Sequence, residues 1–122
     1  NDLCTRSCEP CTGSTPPLSF EEAQALLSEL NEPGDASSPR IVWGFVDERR
    51  AIEATFTFDN FAKAISFVTD IAVIAESENH HPDIHVVKYR RVLLVFTTHA
   101  IKGLSMNDFV VAAKCVHRFN SR

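Results

Sequence analysis

Histidine is the residue type in this chain best suited to proton chemistry, because its unperturbed pKa of about 6.5 lies near physiological pH. All five histidines fall in the second two-thirds of the sequence: His80, His81, His85, His99 and His117. His80-His81-Pro82 stands where a helical pattern ends and an extended one begins, and His99 stands where a later apolar run stops. If the two extended runs pair antiparallel, the start of one lies beside the end of the other. His80 and His81 would then converge with His99. Three readings stay open for such a cluster. The histidines are surface or cap residues, or they ligate a metal, or they act as metal-free general acids and bases. Against the metal, adjacent residues on extended backbone point to opposite faces, and no Cys or carboxylate completes an obvious ligand set.

Other reactive side chains read more plainly. Cys4, Cys8 and Cys11 crowd the first eleven positions, and Cys115 lies in an apolar stretch near the end. The three could supply most of a zinc site with one ligand missing. The favoured reading is a solvated tail carrying free thiols in a reducing compartment, since a disulfide framework spreads its cysteines through the chain. Cys115 reads as a core residue. Arg49-Arg50 and Arg90-Arg91 read as solvated turn charges, and Trp43 as a core aromatic that could also floor a pocket.

These residues must be positioned by a small fold. At 122 residues the chain is one domain, long enough to bury a core. The net charge of −4 argues against binding a phosphate backbone, which needs a concentrated basic patch. No apolar run reaches the roughly 20 residues of a membrane span. The cytoplasm is the expected compartment, with an organelle left open because a chain starting at Asn1 is compatible with processing.

Residues 1–17 read as a flexible Cys-containing tail and residues 18–122 as a single domain. Ser19 and Glu22 have capping-box spacing, followed by Phe20, Ala23, Leu26, Leu27 and Leu30 at helical intervals. Asn31–Pro39 is a loop rich in Pro, Gly and Ser. Residues 41–46 and 52–58 form a hairpin around the charged turn Asp47–Arg50, and the second run alternates with period two. Asp59 or Asn60 caps a second helix reaching about Glu78. Its inner face reads as Phe61, Ala64, Ile65, Val68, Ile71, Ala72 and Ala75, with Phe67 and Ile74 as a second apolar stripe. Two more strands follow, and Val92–Phe96 is apolar on both faces. Ser105 and Asp108 then open a last helix with Phe109, Val110, Ala113, Val116 and Phe119 inward.

The order is α-β-β-α-β-β-α, an α+β sandwich with three helices on one face of a roughly four-stranded antiparallel sheet. One chain has too little helix to cover the doubly apolar strand and the over-apolar second helix. A homo-oligomer, read as a dimer of dimers, is therefore expected.

With the elements placed, the chemistry-bearing residues resemble a known signature. Glu76, His80-His81-Pro82, Tyr89, His99 and Asp108 follow the spacing of pterin-4a-carbinolamine dehydratases. Thr97-Thr98-His99, Gly103-Leu104-Ser105, Phe58 with Phe61, and Trp43 are similar to that family too, so the match runs from about Ser19 to Phe119. The resemblance implies a hydro-lyase that dehydrates 4a-hydroxytetrahydrobiopterin to quinonoid dihydropterin in tetrahydrobiopterin recycling. No cofactor and no metal are implied, the pterin being the substrate. His81 would orient the pterin, while His80 and His99 would act as acids on the leaving hydroxyl. Glu76, Pro82, Thr98 and Asp108 would shape the site and Trp43 would line it, Asp108 having an alternative role in the last helix's first turn. An aromatic amino acid hydroxylase is implied only as a pathway partner, with no nucleic acid and no membrane. His81-Pro82-Asp83-Ile84-His85 and the Cys8-x-Pro10-Cys11 run resemble the plant and protist branch. The animal members' second role, binding a homeodomain transcription factor, is therefore not carried over. The competing reading is a non-catalytic interaction or assembly protein on the same fold, and a metal-dependent hydrolase comes third.

Overall fold

The computed structural model describes residues 3–10, 13–32 and 40–121. Helix α1 spans Phe20–Leu30, strand β1 Gly44–Val46, β2 Ala51–Thr57, α2 Phe61–Glu78, β3 Asp83–Val87, β4 Arg91–Phe96 and α3 Met106–Asn120. The four strands form one antiparallel sheet in the order β1-β2-β4-β3. Alternation sends Ile52, Ala54 and Phe56 of β2 and Val92, Leu94 and Phe96 of β4 to one face, where all are buried beneath the helices. This is the expected α+β fold with three helices and four strands. Among the described residues no helix is long and apolar enough to cross a membrane.

Local chemistry sets the element ends. Ser19 accepts from the Glu22 N–H at 3.1 Å, and the Glu22 carboxylate accepts from the Ser19 N–H at 3.0 Å, as the capping-box spacing predicts. Asn60, rather than Asp59, caps α2. Asn79 ends it in the left-handed region at φ 52°, which asparagine tolerates better than most residues. The turn returns the His80 N–H to the Ala75 carbonyl at 3.2 Å and so fixes where the first histidine leaves the helix.

Three expectations change. Strand β1 begins at Gly44 instead of residue 41, because the Asn31 side chain takes both backbone groups of Trp43. Its Oδ1 accepts from the Trp43 N–H at 2.8 Å and its Nδ2 donates to the Trp43 carbonyl at 2.9 Å. The inner stripe of α2 is Ala64, Phe67, Ile71 and Ala75, whereas Phe61 and Ile65 are exposed. Phe67 wins the inward position by packing against Phe56, Phe58 and Phe119 at 5.0–5.8 Å between ring centroids.

The third change concerns the solvated tail. Leu3 is fully buried in the core, and a 3-10 turn at Leu3–Thr5 packs along α3. That helix buries Val110, Val111, Ala112 and Cys115 completely, more apolar surface than one inward face carries. The N-terminal segment supplies the extra cover. Further along, Leu18 donates its N–H to the Leu104 carbonyl at 2.9 Å. Cys11 lies outside the described residues, as does most of the loop expected at 31–39.

Candidate active site

Strand register brings the histidines together. Asp83 pairs with Val95 at the end of the sheet where β3 starts and β4 stops, so His80 and His81 lie beside the segment that follows β4. His99 opens a 3-10 turn at His99–Ile101 in that segment. All three histidines line one cavity of about 420 Å³, a size within the roughly 300–1,000 Å³ range of small-molecule sites. Thr97, Thr98 and Ala100 line its β4 side, Glu78 and Asn79 its α2 side, and Asn107 its α3 side.

His80 is the most constrained of the three. Its Nε2 lies 2.6 Å from Asp108 Oδ1, and Asp108 is fully buried. A carboxylate only accepts, so Nε2 donates and Nδ1 is left to exchange a proton with a ligand. The other oxygen of Asp108 accepts from the Thr98 hydroxyl at 2.8 Å and from the Ser105 N–H at 2.9 Å. The Ser105 hydroxyl lies 2.8 Å from Thr98 Oγ1 and closes the network. Asp108 thus caps the first turn of α3, the alternative role anticipated for it, and in addition holds a histidine. On its apolar side the His80 ring stacks on Phe96, centroids 6.4 Å apart and planes 11° apart. His81 is exposed, with Nε2 3.5 Å from Glu76 Oε2, and His99 is exposed as well.

Several expected site residues stand elsewhere. Trp43 does not line this cavity: it is buried behind Phe96, ring centroids 5.8 Å apart, and also packs on Phe56. Asp108 lies behind His80 rather than on the cavity wall. Glu76 reaches the site only through His81, and Pro82 is half-buried outside the lining. Tyr89 is exposed at the tip of the β3–β4 hairpin, the opposite end of the sheet from the histidines. His85 is on the open sheet face, paired with Leu93, and His117 lines a separate cavity with Cys4 and Lys114.

The sequence reading missed Asn107, Glu78 and the stretch Cys8–Pro10, all of which line the cavity. Proximity to Asp108 and His80 in the chain was the only signal for the first two. For the third, the Cys8-x-Pro10-Cys11 run resembles a branch of the family but reads as part of a solvated tail. Among the described residues, no group of three His, Cys, Asp or Glu side chains stands close enough to hold a metal ion.

Comparison with known proteins identifies the family and the fold. The family model described as pterin 4 alpha carbinolamine dehydratase matches residues 16–117. A Nitrosomonas eutropha protein, provisionally named pterin-4-alpha-carbinolamine dehydratase, is 42% identical over 113 residues, 93% of this chain and 89% of its own. A Legionella pneumophila protein with the same provisional name is 40% identical over 114 residues, 93% of this chain and 92% of its own. A crystal structure from Brucella melitensis, described as a transcriptional coactivator/pterin dehydratase, matches with a TM-score of 0.71 and 29% identity, covering 84% of this chain and 98% of that one. These relatives are bacterial, so they lend no support to the plant and protist branch. A family match over most of the chain, on a fold whose strand pairing gathers the signature histidines into one cavity, shows that the chain belongs to the pterin 4-alpha-carbinolamine dehydratase family.

Proposed function

We propose that this protein dehydrates a 4a-hydroxytetrahydropterin to the quinonoid dihydropterin by histidine acid–base catalysis. The observation that carries the reading is the shared cavity of His80, His81 and His99, with His80 fixed by a buried carboxylate. In the reaction the C4a–O bond breaks, the departing hydroxyl takes a proton and leaves as water, and a ring N–H loses a proton as the C=N bond forms. A poor leaving group needs that proton delivered in the transition state, a task worth roughly 10²–10⁴-fold in rate. His80, oriented through Nε2, presents Nδ1 for the transfer. His99, from the opposite side of the strand junction, suits the other stereoisomer of the hydroxyl, and exposed His81 holds the ring.

The test is a dehydration assay with a 4a-hydroxytetrahydropterin, run with and without a chelator, on wild type and the His80→Ala/His99→Ala double variant. Chelator-resistant turnover that the double variant nearly abolishes is the expected result. Full activity in a folded double variant would refute the mechanism. Turnover lost to the chelator would restore the metal reading.

Self-association belongs to the same proposal. Phe61, Ile65 and Val73 stay exposed on α2, and Leu93 and Val95 are only half-covered on the open sheet face. A homo-oligomer would cover both. Light scattering that found only a 13.6 kDa monomer at micromolar concentration would overturn it.

A further inference from the structure

The N-terminal segment is tied down at four points, and two of the ties are cavity residues. Leu3 is fully buried in the core, and the Lys114 ammonium donates to the Cys4 carbonyl at 2.9 Å. The Cys8 N–H donates to the Glu78 carboxylate at 2.9 Å. Asn107 then holds both backbone groups of Glu9, its Oδ1 accepting from the N–H at 2.9 Å and its Nδ2 donating to the carbonyl at 2.6 Å. An amide side chain used this way copies a strand's hydrogen bonding and holds Cys8–Pro10 against the cavity, which all three residues line. On the far side, a Cβ placed on Gly13 would stand 3.8 Å from the carbonyl oxygen of Ala100, another cavity residue. The segment therefore lines the cavity at Cys8–Pro10 beside the α3 start, and Gly13 stands near the His99 turn.

The holding residues are placed to matter. Glu78 lies two positions before His80 and Asn107 one before Asp108, so the helix ends that position the histidine also dock the segment. The family model matches residues 16–117, and Cys8–Pro10 precede that span.

Resting on the pterin reading above, we infer that Cys8–Pro10 is a substrate-contacting wall of the pterin cavity, with Asn107 and Glu78 as the positioning residues that hold it. The wall contacts ground state and transition state alike, so it acts on affinity more than on the chemical step. Releasing it removes about two net hydrogen bonds' worth of docking, a loss that weakens pterin binding roughly five- to thirtyfold.

The experiment uses the full chain, a fully oxidised pterin that has no 4a-hydroxyl to lose, and amide hydrogen exchange at Cys8 and Glu9. Saturating pterin should slow both amides in the wild-type protein. Asn107→Ala should speed both amides, raise the pterin Kd and the KM by about five- to thirtyfold, and leave kcat within about threefold. Faster exchange in Asn107→Ala with unchanged Kd and KM would overturn the inference while leaving the proposed function standing. Unchanged exchange would remove Asn107 from the docking role. The wild-type protection measurement decides the matter if Asn107→Ala fails to fold: amides indifferent to bound pterin would sink the wall. A wild type that neither binds nor dehydrates a pterin would sink the function and the wall together.

Discussion

The sharpest perturbation of this site is at Asp108, which never touches the cavity. Its carboxylate is fully buried and takes donors from His80 at 2.6 Å, Thr98 at 2.8 Å and the Ser105 N–H at 2.9 Å. Hydrogen bonds to a charged group are each worth about 1.5–3 kcal/mol. Deleting one partner of a buried charged pair costs about 3–5 kcal/mol, a large share of the roughly 5–15 kcal/mol that holds a domain folded. Asp108→Ala would therefore confuse stability with catalysis. Asp108→Asn keeps the volume and lets the amide oxygen go on accepting from Ser105 and Thr98. It turns an NH2 donor toward His80, however, which drives the ring into the other tautomer and removes the counter-charge beside its doubly protonated form. On a stereochemically pure substrate served by His80, kcat should fall about 10²–10⁴-fold, with pterin Kd little changed. A mixed substrate should show a smaller loss, because His99 continues to act. Thr98→Val, which takes one donor from the same carboxylate, should lose less than Asp108→Asn. Steady-state rates and pterin titration on protein checked by circular dichroism decide it. A folded Asp108→Asn protein with kcat within about threefold of wild type would refute the positioning argument.

Other expectations can be checked on the same protein. His85→Ala and His117→Ala should leave turnover within a few-fold, since both side chains are exposed and neither lines the histidine cavity; a large loss from either would misplace the site. Leu3→Ala should destabilise the domain by about 2–5 kcal/mol, visible as a drop in Tm, whereas an unchanged melt would restore the solvated tail. Burial, reinforced by the Glu78 carboxylate, pushes the Cys8 thiol up to about 12. A raised thiol pKa gives stability that is fully present below the ordinary value of 9.0 and is lost as pH rises toward about 12. The stability difference between wild type and Cys8→Ala should therefore shift against wild type across that window in denaturant titrations; a constant difference would show that Cys8 is not held as described.

The sequence by itself determined the features whose causes are local or periodic. Ser19 with Glu22, Asn60 and Ser105 mark helix starts because a capping side chain acts within three residues. Antiparallel pairing of two adjacent strands carries His80 and His81 to His99, so the cavity's imidazoles were legible from strand order alone. Tertiary structure decided what depends on partners distant in the chain. The phase of α2 is one case: a helix apolar around most of its surface has no preferred face until Phe67 finds Phe56, Phe58 and Phe119, leaving Phe61 and Ile65 outside. Trp43 is another, since its backbone is claimed by Asn31 and its ring lies behind Phe96 rather than on the cavity. The docking of residues 3–10 is the clearest. A single buried leucine and polar clamps from Glu78, Asn107 and Lys114 hold that segment. One apolar residue makes no period, and a side-chain clamp 70 to 110 positions away leaves no mark on the sequence it holds.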